Sequence, residues 1–208
     1  MKHLYFLLAI LLFTACSKEE TYGPLKLKDG QEVELIISHH YHSVGDEPLV
    51  MPHQTSPQLS LYDFTEREPG YSYRVKAKMS AYKGPQMQDG GPTDHLKFME
   101  VISKEKYEGN ESFDIELIRS YIPGGPQIML FKEDGKYIFL DDIQLTYSDD
   151  EVEAQLEKIW KHQEERIENS KKQIATYPKW RSIRATVSHD PDNFGKAYLV
   201  QNVKFTEI

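Results

Sequence analysis

The chain has 208 residues, with 25 lysines and arginines and 33 acidic residues, which gives a formal net charge of −8 at pH 7. An acidic protein disfavours binding to nucleic acid and to anionic lipid headgroups, because both interactions require positive charge to replace counterions. We therefore expect no nucleic-acid partner. The single cysteine excludes an internal disulfide, and the length is sufficient for one or two domains.

The first fifteen residues have the features of a secretory signal. Lys2 and His3 precede an uninterrupted apolar run over residues 4–13. A permanent membrane-spanning helix needs about 20 apolar residues, whereas a shorter run after a positive start is typical of the apolar region of a signal peptide. The sequence therefore predicts that residues 1–15 are a signal peptide and that the mature chain begins at Cys16.

The segment Phe13-Thr14-Ala15-Cys16 resembles the cleavage motif of bacterial lipoproteins. It departs from that motif at Phe13, where leucine, valine or isoleucine is usual. The resemblance implies that Cys16 is the site of lipidation, with palmitate among its acyl chains, and that the protein reaches the membrane through this lipid anchor. A buried free thiol is the alternative interpretation of Cys16.

Residues 16–20 are a cysteine, a serine, a lysine and two glutamates. They are similar to the export tag of surface-exposed lipoproteins in the Bacteroidetes group. This similarity implies lipid anchoring in the bacterial outer membrane, facing the cell surface, with the periplasmic face as the alternative. Residues 16–30 are mostly polar and contain a Gly-Pro pair, so we interpret them as the lipidated N-terminus and a flexible tether.

Residues 31–107 predict a first β-rich domain. Apolar and polar residues alternate over residues 31–42, a period of two that indicates a strand with one buried face. Residues 71–79 and 96–103 predict two further strands. Loops rich in glycine and proline separate the predicted strands.

Within this domain the segment 68–73 reads Glu-Pro-Gly-Tyr-Ser-Tyr. Together with residues 92–104, it resembles a small bacterial domain-of-unknown-function family that is found in lipoproteins, sometimes beside META-type domains. The resemblance covers residues 31–107 and implies fold and location only, because no catalytic residue is assigned to that family. The motif itself predicts a tight turn followed by Tyr71 and Tyr73 on one face of a strand.

Residues 108–208 predict a second β-rich domain that repeats the plan of the first. In this interpretation residues 180–187 correspond to residues 71–79, and residues 196–205 correspond to residues 96–103. The sequence identity between them is low, so the repeat depends on the order of the predicted elements.

One long helix is predicted over residues 148–175, inserted into the second domain. Ser148, with Glu151 three residues later, has the form of a capping box. A narrow apolar stripe follows at helical spacing, and packing of this stripe on the chain's own sheet is favoured over a coiled coil. The stripe consists of Val152, Leu156, Ile159, Trp160, Gln163, Ile167 and Ile174. The predicted fold is thus mainly β with one long helix, in two tandem small OB-like β-barrels or sheets.

Histidines provide the first candidate site. His40 and His42 are two apart on a predicted strand, so both imidazoles would lie on one face, and His53 would supply a third ligand from the following loop. The alternative is a polar strand end with no metal. We expect no cofactor, with zinc at these histidines as the alternative.

Aromatic and basic residues near the C-terminus provide a second candidate site, because stacking combined with positive charge suits a binding groove. The predicted lining residues are Trp180, Arg181, Arg184, Phe194, Lys196 and Tyr198. The alternative interpretation, in which the aromatic residues belong to the core and the cations are solvated, is favoured because the chain as a whole is acidic. On an exported acidic protein, a glycan, peptide or protein partner fits these residues better than a polyanion.

Motifs of nucleophilic catalysis and phosphate binding are absent from the sequence, which has neither a Gly-x-Ser-x-Gly elbow nor a glycine-rich phosphate loop. We therefore expect a non-enzymatic binding or interaction module of the bacterial cell envelope. The alternative is a metal-dependent or glycan-acting envelope enzyme that uses the strand histidines.

Overall fold

The computed structural model describes residues 20–85, 93–121, 124–140 and 142–208. The predicted signal peptide, Cys16 and the export tag up to residue 19 lie outside these residues. The described part is mainly β with one 22-residue helix, and its strands form two β units of the barrel-like kind expected from the sequence. No helix in this part of the chain combines the length and the apolar character needed to cross a membrane.

The first unit is a five-stranded sheet preceded by a small hairpin. Its strands are β1 (Thr21–Tyr22), β2 (Leu27–Lys28), β3 (Glu32–Ile37), β4 (Leu49–Val50), β5 (Leu61–Tyr62), β6 (Tyr71–Ser80) and β7 (His95–Lys106). β1 pairs with β2, and the other strands form a sheet in the order β4-β3-β6-β7-β5. Neighbouring strands are antiparallel except β5 and β7, which are parallel.

The inward-facing side chains of β3 and β6 form the core of this unit. Leu35 lies opposite Val75, and Val33 lies opposite Ala77. All four side chains are buried, while the intervening residues carry charge toward solvent. The period of two that predicted these strands therefore reflects one buried sheet face.

The prediction of a strand over residues 31–42 is wrong at its C-terminal end, because β3 ends at Ile37. The chain then turns away from the sheet, and Ser43 forms an isolated bridge with Ile115 of the second unit. The physical reason is that Ser43 and its neighbours gain backbone hydrogen bonds from the other unit, which a continued β3 would not provide.

The predicted tether over residues 16–30 is wrong from Thr21 onward. β1 and β2 form an antiparallel hairpin, and Leu27 is buried in the core of the first unit. Gly30 then donates its N–H to the carbonyl oxygen of Met79 at 2.9 Å. This polar segment is structured because it buries apolar side chains against the sheet.

The second unit contains the helix and the remaining strands. These are β8 (Phe113–Glu116), β9 (Ile118–Tyr121), β10 (Gly125–Ile128), β11 (Leu130–Glu133), β12 (Lys136–Phe139), β13 (Ile143–Tyr147), α1 (Asp150–Lys171), β14 (Trp180–His189) and β15 (Ala197–Glu207). The main sheet has the order β11-β12-β13-β15-β14-β8, and β9 pairs with β10. Only Leu117 separates β8 from β9, and only Met129 separates β10 from β11. The pairings therefore follow a circuit around one core, as in a small barrel.

The predicted internal repeat is confirmed in the order of the strands. In the first unit, β3 is antiparallel to β6, β6 is antiparallel to β7, and β7 is parallel to β5. In the second unit, the strands β8, β14, β15 and β13 have the same three relations in the same order. Both long hairpins, β6–β7 and β14–β15, also contain two register shifts.

The helix α1 covers the second core, as predicted, but both of its ends differ from the prediction. Asp149, not Ser148, is the N-cap, and its carboxylate accepts the N–H of Val152 at 2.9 Å. The helix ends at Lys171, four residues earlier than predicted, because Gln173 adopts a positive φ of 61°, a conformation that ends helices. The buried face consists of Val152, Leu156, Ile159, Gln163 and Arg166.

Candidate metal centre at the junction of the two units

The segment that follows β3 joins the two units. Val44 donates its N–H to the carbonyl oxygen of Asp114 at 2.8 Å. Tyr198, whose side chain belongs to the core of the second unit, donates its hydroxyl to the carbonyl oxygen of Tyr41 at 2.7 Å. We call this contact region the junction. Its backbone hydrogen bonds hold the chain just after His39 and His40, and so they orient these two histidines.

Gly70 of the Glu-Pro-Gly-Tyr motif packs directly against the second unit at the junction. Its φ is +80°, and a Cβ built on it would lie 2.5 Å from Cζ of Phe194. Gly70 also donates its N–H to the carbonyl oxygen of His39 at 3.0 Å. The glycine is therefore required both by the backbone conformation and by the close approach of an aromatic ring.

Two histidines and a glutamate converge at the junction. His39 and His40 follow β3, and Glu111 lies in the linker between the units. One donor atom of each residue lies within 4.8 Å of the other two. Glu111 Oε1 is 3.2 Å from His39 Nε2 and 3.1 Å from His40 Nε2. Zinc–ligand bonds of about 2.0–2.1 Å in a tetrahedron place ligand atoms about 3.3 Å apart, so these separations suit a shared ion.

Aromatic packing holds the two imidazoles in place. The ring of His39 stacks on Tyr107 with centroids 3.7 Å apart and planes 10° apart. The ring of His40 lies 4.4 Å from that of Phe113. His39 is only 8% exposed, His40 is partly buried, and Glu111 is exposed. The centre is therefore rigid on the histidine side and open to solvent on the carboxylate side.

A third histidine forms a hydrogen bond with His39. His189, at the end of β14, places its Nε2 atom 2.9 Å from Nδ1 of His39. When His39 is the donor in this bond, its Nε2 atom carries a lone pair that faces Glu111, which is the tautomer that a metal ligand needs. In the opposite tautomer His39 Nε2–H faces the carboxylate. The cluster can thus exchange a proton for a metal ion without moving a ring.

The imidazoles of the cluster are neutral at neutral pH. Burial, reinforced by the neighbouring His40, lowers the pKa of His39 to about 4. Burial likewise lowers the pKa of His189 to about 4 and lowers the pKa of His40. Because a metal ion binds only the unprotonated ring, these histidines are available as ligands at neutral pH.

Of the three histidines predicted as ligands, only His40 belongs to this cluster. The shared strand face on which the prediction depended does not exist, because β3 ends before His40. His42 has a φ of +63° and donates its N–H to Asp46 Oδ2 at 2.9 Å. His53 lies in an exposed turn. The predicted combination of His40, His42 and His53 is therefore not brought together.

Sequence reasoning missed His39, Glu111 and His189. Strand alternation placed His39 on the opposite face from His40, whereas the turn after β3 brings both rings to one side. Glu111 and His189 are distant in sequence from His39 and His40, and no motif spacing connects them to these residues. Only a tertiary contact between the repeated units could have identified them.

Two of the three aromatic residues predicted to line a ligand groove are buried. Trp180 and Tyr198 are buried in the core of the second unit, 2% and 0% exposed. Phe194 lies at the junction, where its ring covers Gly70. The prediction of a groove is wrong for Trp180 and Tyr198, because their rings pack in the core. Phe194 is partly exposed and lines a cleft beside Tyr107 and His189.

The cations of that predicted groove are solvent-exposed. Arg184 forms hydrogen bonds of 2.8 and 2.6 Å with Glu116 Oε1 across the pair β8–β14. Arg181 and Lys196 are exposed. The alternative interpretation, in which the aromatic residues are core and the cations are solvated, describes the structure.

No protein-family model matches the chain, and neither a curated protein nor a solved structure matches it. One buried and one partly buried neutral imidazole, an exposed carboxylate and a supporting third histidine form a set of donors suited to a divalent transition-metal ion.

The packing of Gly70 against Phe194 predicts a large effect of Gly70→Ala. The new methyl group would collide with the ring, and the positive φ disfavours alanine. We expect a loss of about 2–3 kcal/mol in the free energy of unfolding, measured by urea denaturation.

Gly45→Ala is the matched control, because Gly45 has a φ of +78° but nothing lies within 4 Å of its built Cβ. It should show only the backbone cost, about 1 kcal/mol. Equal losses in both variants would contradict the role of the Gly70–Phe194 contact.

Proposed function

We propose that this chain is a lipoprotein of the bacterial outer membrane, held by an acylated Cys16 and facing the cell surface. We propose further that it is a non-enzymatic binding module whose ligand at the junction is a divalent transition-metal ion, zinc in the first instance. The proposed location is supported by the resemblance of residues 1–20 to lipoprotein signals and to the Bacteroidetes export tag. The two β units would then be displayed outside the membrane by a lipid.

The convergence of His39, His40 and Glu111 carries the proposal of metal binding. Nitrogen donors favour zinc, copper or nickel over magnesium and calcium, which prefer oxygen. The two rings are fixed by packing against Tyr107 and Phe113, so little conformational entropy is lost when an ion binds. His189 provides the outer hydrogen bond that ligating histidines usually make.

A second candidate function, metal-dependent hydrolysis, is favoured by one observation. Two histidines and one glutamate leave a tetrahedral ion with an open fourth position, which is the donor set of several catalytic zinc sites. A hydrolase would cleave an ester or glycoside only with zinc present, and His40→Ala would abolish the cleavage. A binding module would hold zinc without this activity.

Zinc binding can be tested directly with the mature protein. Titration calorimetry after treatment with a chelator should give one zinc ion per chain. His40→Ala and Glu111→Gln should each weaken the affinity by at least about 10-fold, because each removes one of three ligands. Zinc should also raise the melting temperature of the unaltered protein but not that of His40→Ala.

His42→Ala and His53→Ala are the matched controls, since both replace a nearby histidine outside the cluster. They should bind zinc as the unaltered protein does. Loss of binding in His42→Ala with retention in His40→Ala would contradict the proposed site, as would the absence of binding in the unaltered protein.

The lipid anchor is tested in a Bacteroidetes host supplied with labelled palmitate. The full chain should incorporate the label and fractionate with the outer membrane, because a cysteine with two or more acyl chains binds a bilayer stably. Cys16→Ser should lose the label. Incorporation into the serine variant, or none into the unaltered chain, would show that Cys16 is not the anchor.

A further inference from the structure

Arg166, on the buried face of α1, is an unusual buried cation. It is only 9% exposed. Its Nε atom donates to the carbonyl oxygen of Thr176 at 3.0 Å, and Nη1 donates to Oε1 of Gln163 at 2.8 Å. Nη2 donates to Oε1 of Gln127 at 3.3 Å. All three acceptors are neutral, so the positive charge of the guanidinium is not balanced by them.

No carboxylate of the described residues forms an ion pair with Arg166, although most other arginines of the same part of the chain have one. Burial lowers the pKa of Arg166, but a guanidinium remains charged at any physiological pH. The C-terminal end of α1 supplies a partial negative charge nearby. No full negative charge among the described residues pairs with Arg166, and burying a cation without such a partner costs folding free energy.

A cleft of about 360 Å³ lies beside this guanidinium. Its polar lining includes Gln127, Ser170 and Thr176, and its rim includes Ile174 and Tyr177. The volume falls within the range of small-molecule sites, which is about 300–1,000 Å³. The cleft is formed by α1, the segment after it and the start of β10, so it belongs to the second unit alone.

The hydrogen-bond inventory of Arg166 indicates what the cleft would accept. A guanidinium has five N–H groups, and the three bonds above leave one N–H on Nη1 and one on Nη2. Two such groups match the two oxygens of a carboxylate. The remaining lining offers amide and hydroxyl groups suited to ligand hydroxyls, and the ring of Tyr177, 70% exposed, offers a face for a sugar ring.

We propose that this cleft is a second binding site, for the carboxylate of an acidic sugar of the uronate class. Arg166 binds the carboxylate, the side chains of Gln127 and Ser170 hydrogen-bond sugar hydroxyls, and Tyr177 packs on the ring. The site does not depend on the junction, because none of its residues belongs to the metal cluster. It assigns the ligand-binding role of the second unit to the end of α1 and not to the predicted groove.

The test is calorimetric titration of the mature protein with D-glucuronate in the presence of EDTA, which removes metal ions. Glucuronate should bind, whereas D-glucose, which lacks the carboxylate, and acetate, which lacks the sugar, should each bind at least about 10-fold more weakly. Equal binding of glucose would overturn the role of Arg166. Equal binding of acetate would overturn the assignment to a sugar.

Substitutions of the lining residues test whether glucuronate binds in this cleft. Arg166→Gln should weaken glucuronate binding at least about 10-fold, and Tyr177→Ala, a change at an exposed residue that leaves folding intact, about 3-fold or more. Arg181→Gln, an exposed arginine of the same unit, is the matched control and should bind normally. His40→Ala should also bind glucuronate normally, which separates this site from the metal centre. Unchanged affinity in Tyr177→Ala and Ser170→Ala together would overturn the proposal even if Arg166→Gln does not fold.

Discussion

The close packing of Gly70 on the ring of Phe194 is the constraint on which the junction depends. It brings the turn before β6 against the second unit, and the N–H of Gly70 then holds the carbonyl oxygen of His39. Because His39 is held by its backbone and stacked on Tyr107, its ring has one orientation, toward Glu111.

The fold was accessible from sequence where local patterning determines it. The period of two over β3 and β6, and the helical spacing of Val152, Leu156 and Ile159, predicted elements that exist. The repeat was also recognisable, because the same order of strands builds both units. The ends of elements were not predictable, since a positive φ at Gln173 and a tertiary bridge at Ser43 determine them.

The sites were harder to predict, for a physical reason. The spacing of His40 and His42 is informative only if the backbone is extended, and the backbone turns there to contact the other unit. Glu111 and His189 reach the same point from a linker and from the end of β14. The sequence favoured the core over a groove for Trp180 and Tyr198 only from the acidic composition, because their burial depends on a barrel that no local pattern specifies.

The two proposed sites share a principle: each is a place where buried polar groups lack a complete set of partners. At the junction, Nε2 of His40 is buried without a hydrogen-bond partner among the described residues, and two neutral imidazoles face one carboxylate. At the end of α1, the guanidinium of Arg166 has no carboxylate partner among the residues that the structure describes. Such groups are costly to bury, and a bound cation in one case and a bound carboxylate in the other would offset that cost.

Anomalous diffraction from a crystal of the zinc-loaded protein tests the central claim most directly. We predict one zinc peak per chain at the junction, about 2.0–2.2 Å from Nε2 of His39, Nε2 of His40 and Oε1 of Glu111. A zinc peak bound instead by His42 or His53, or a junction without zinc under these conditions, would contradict it.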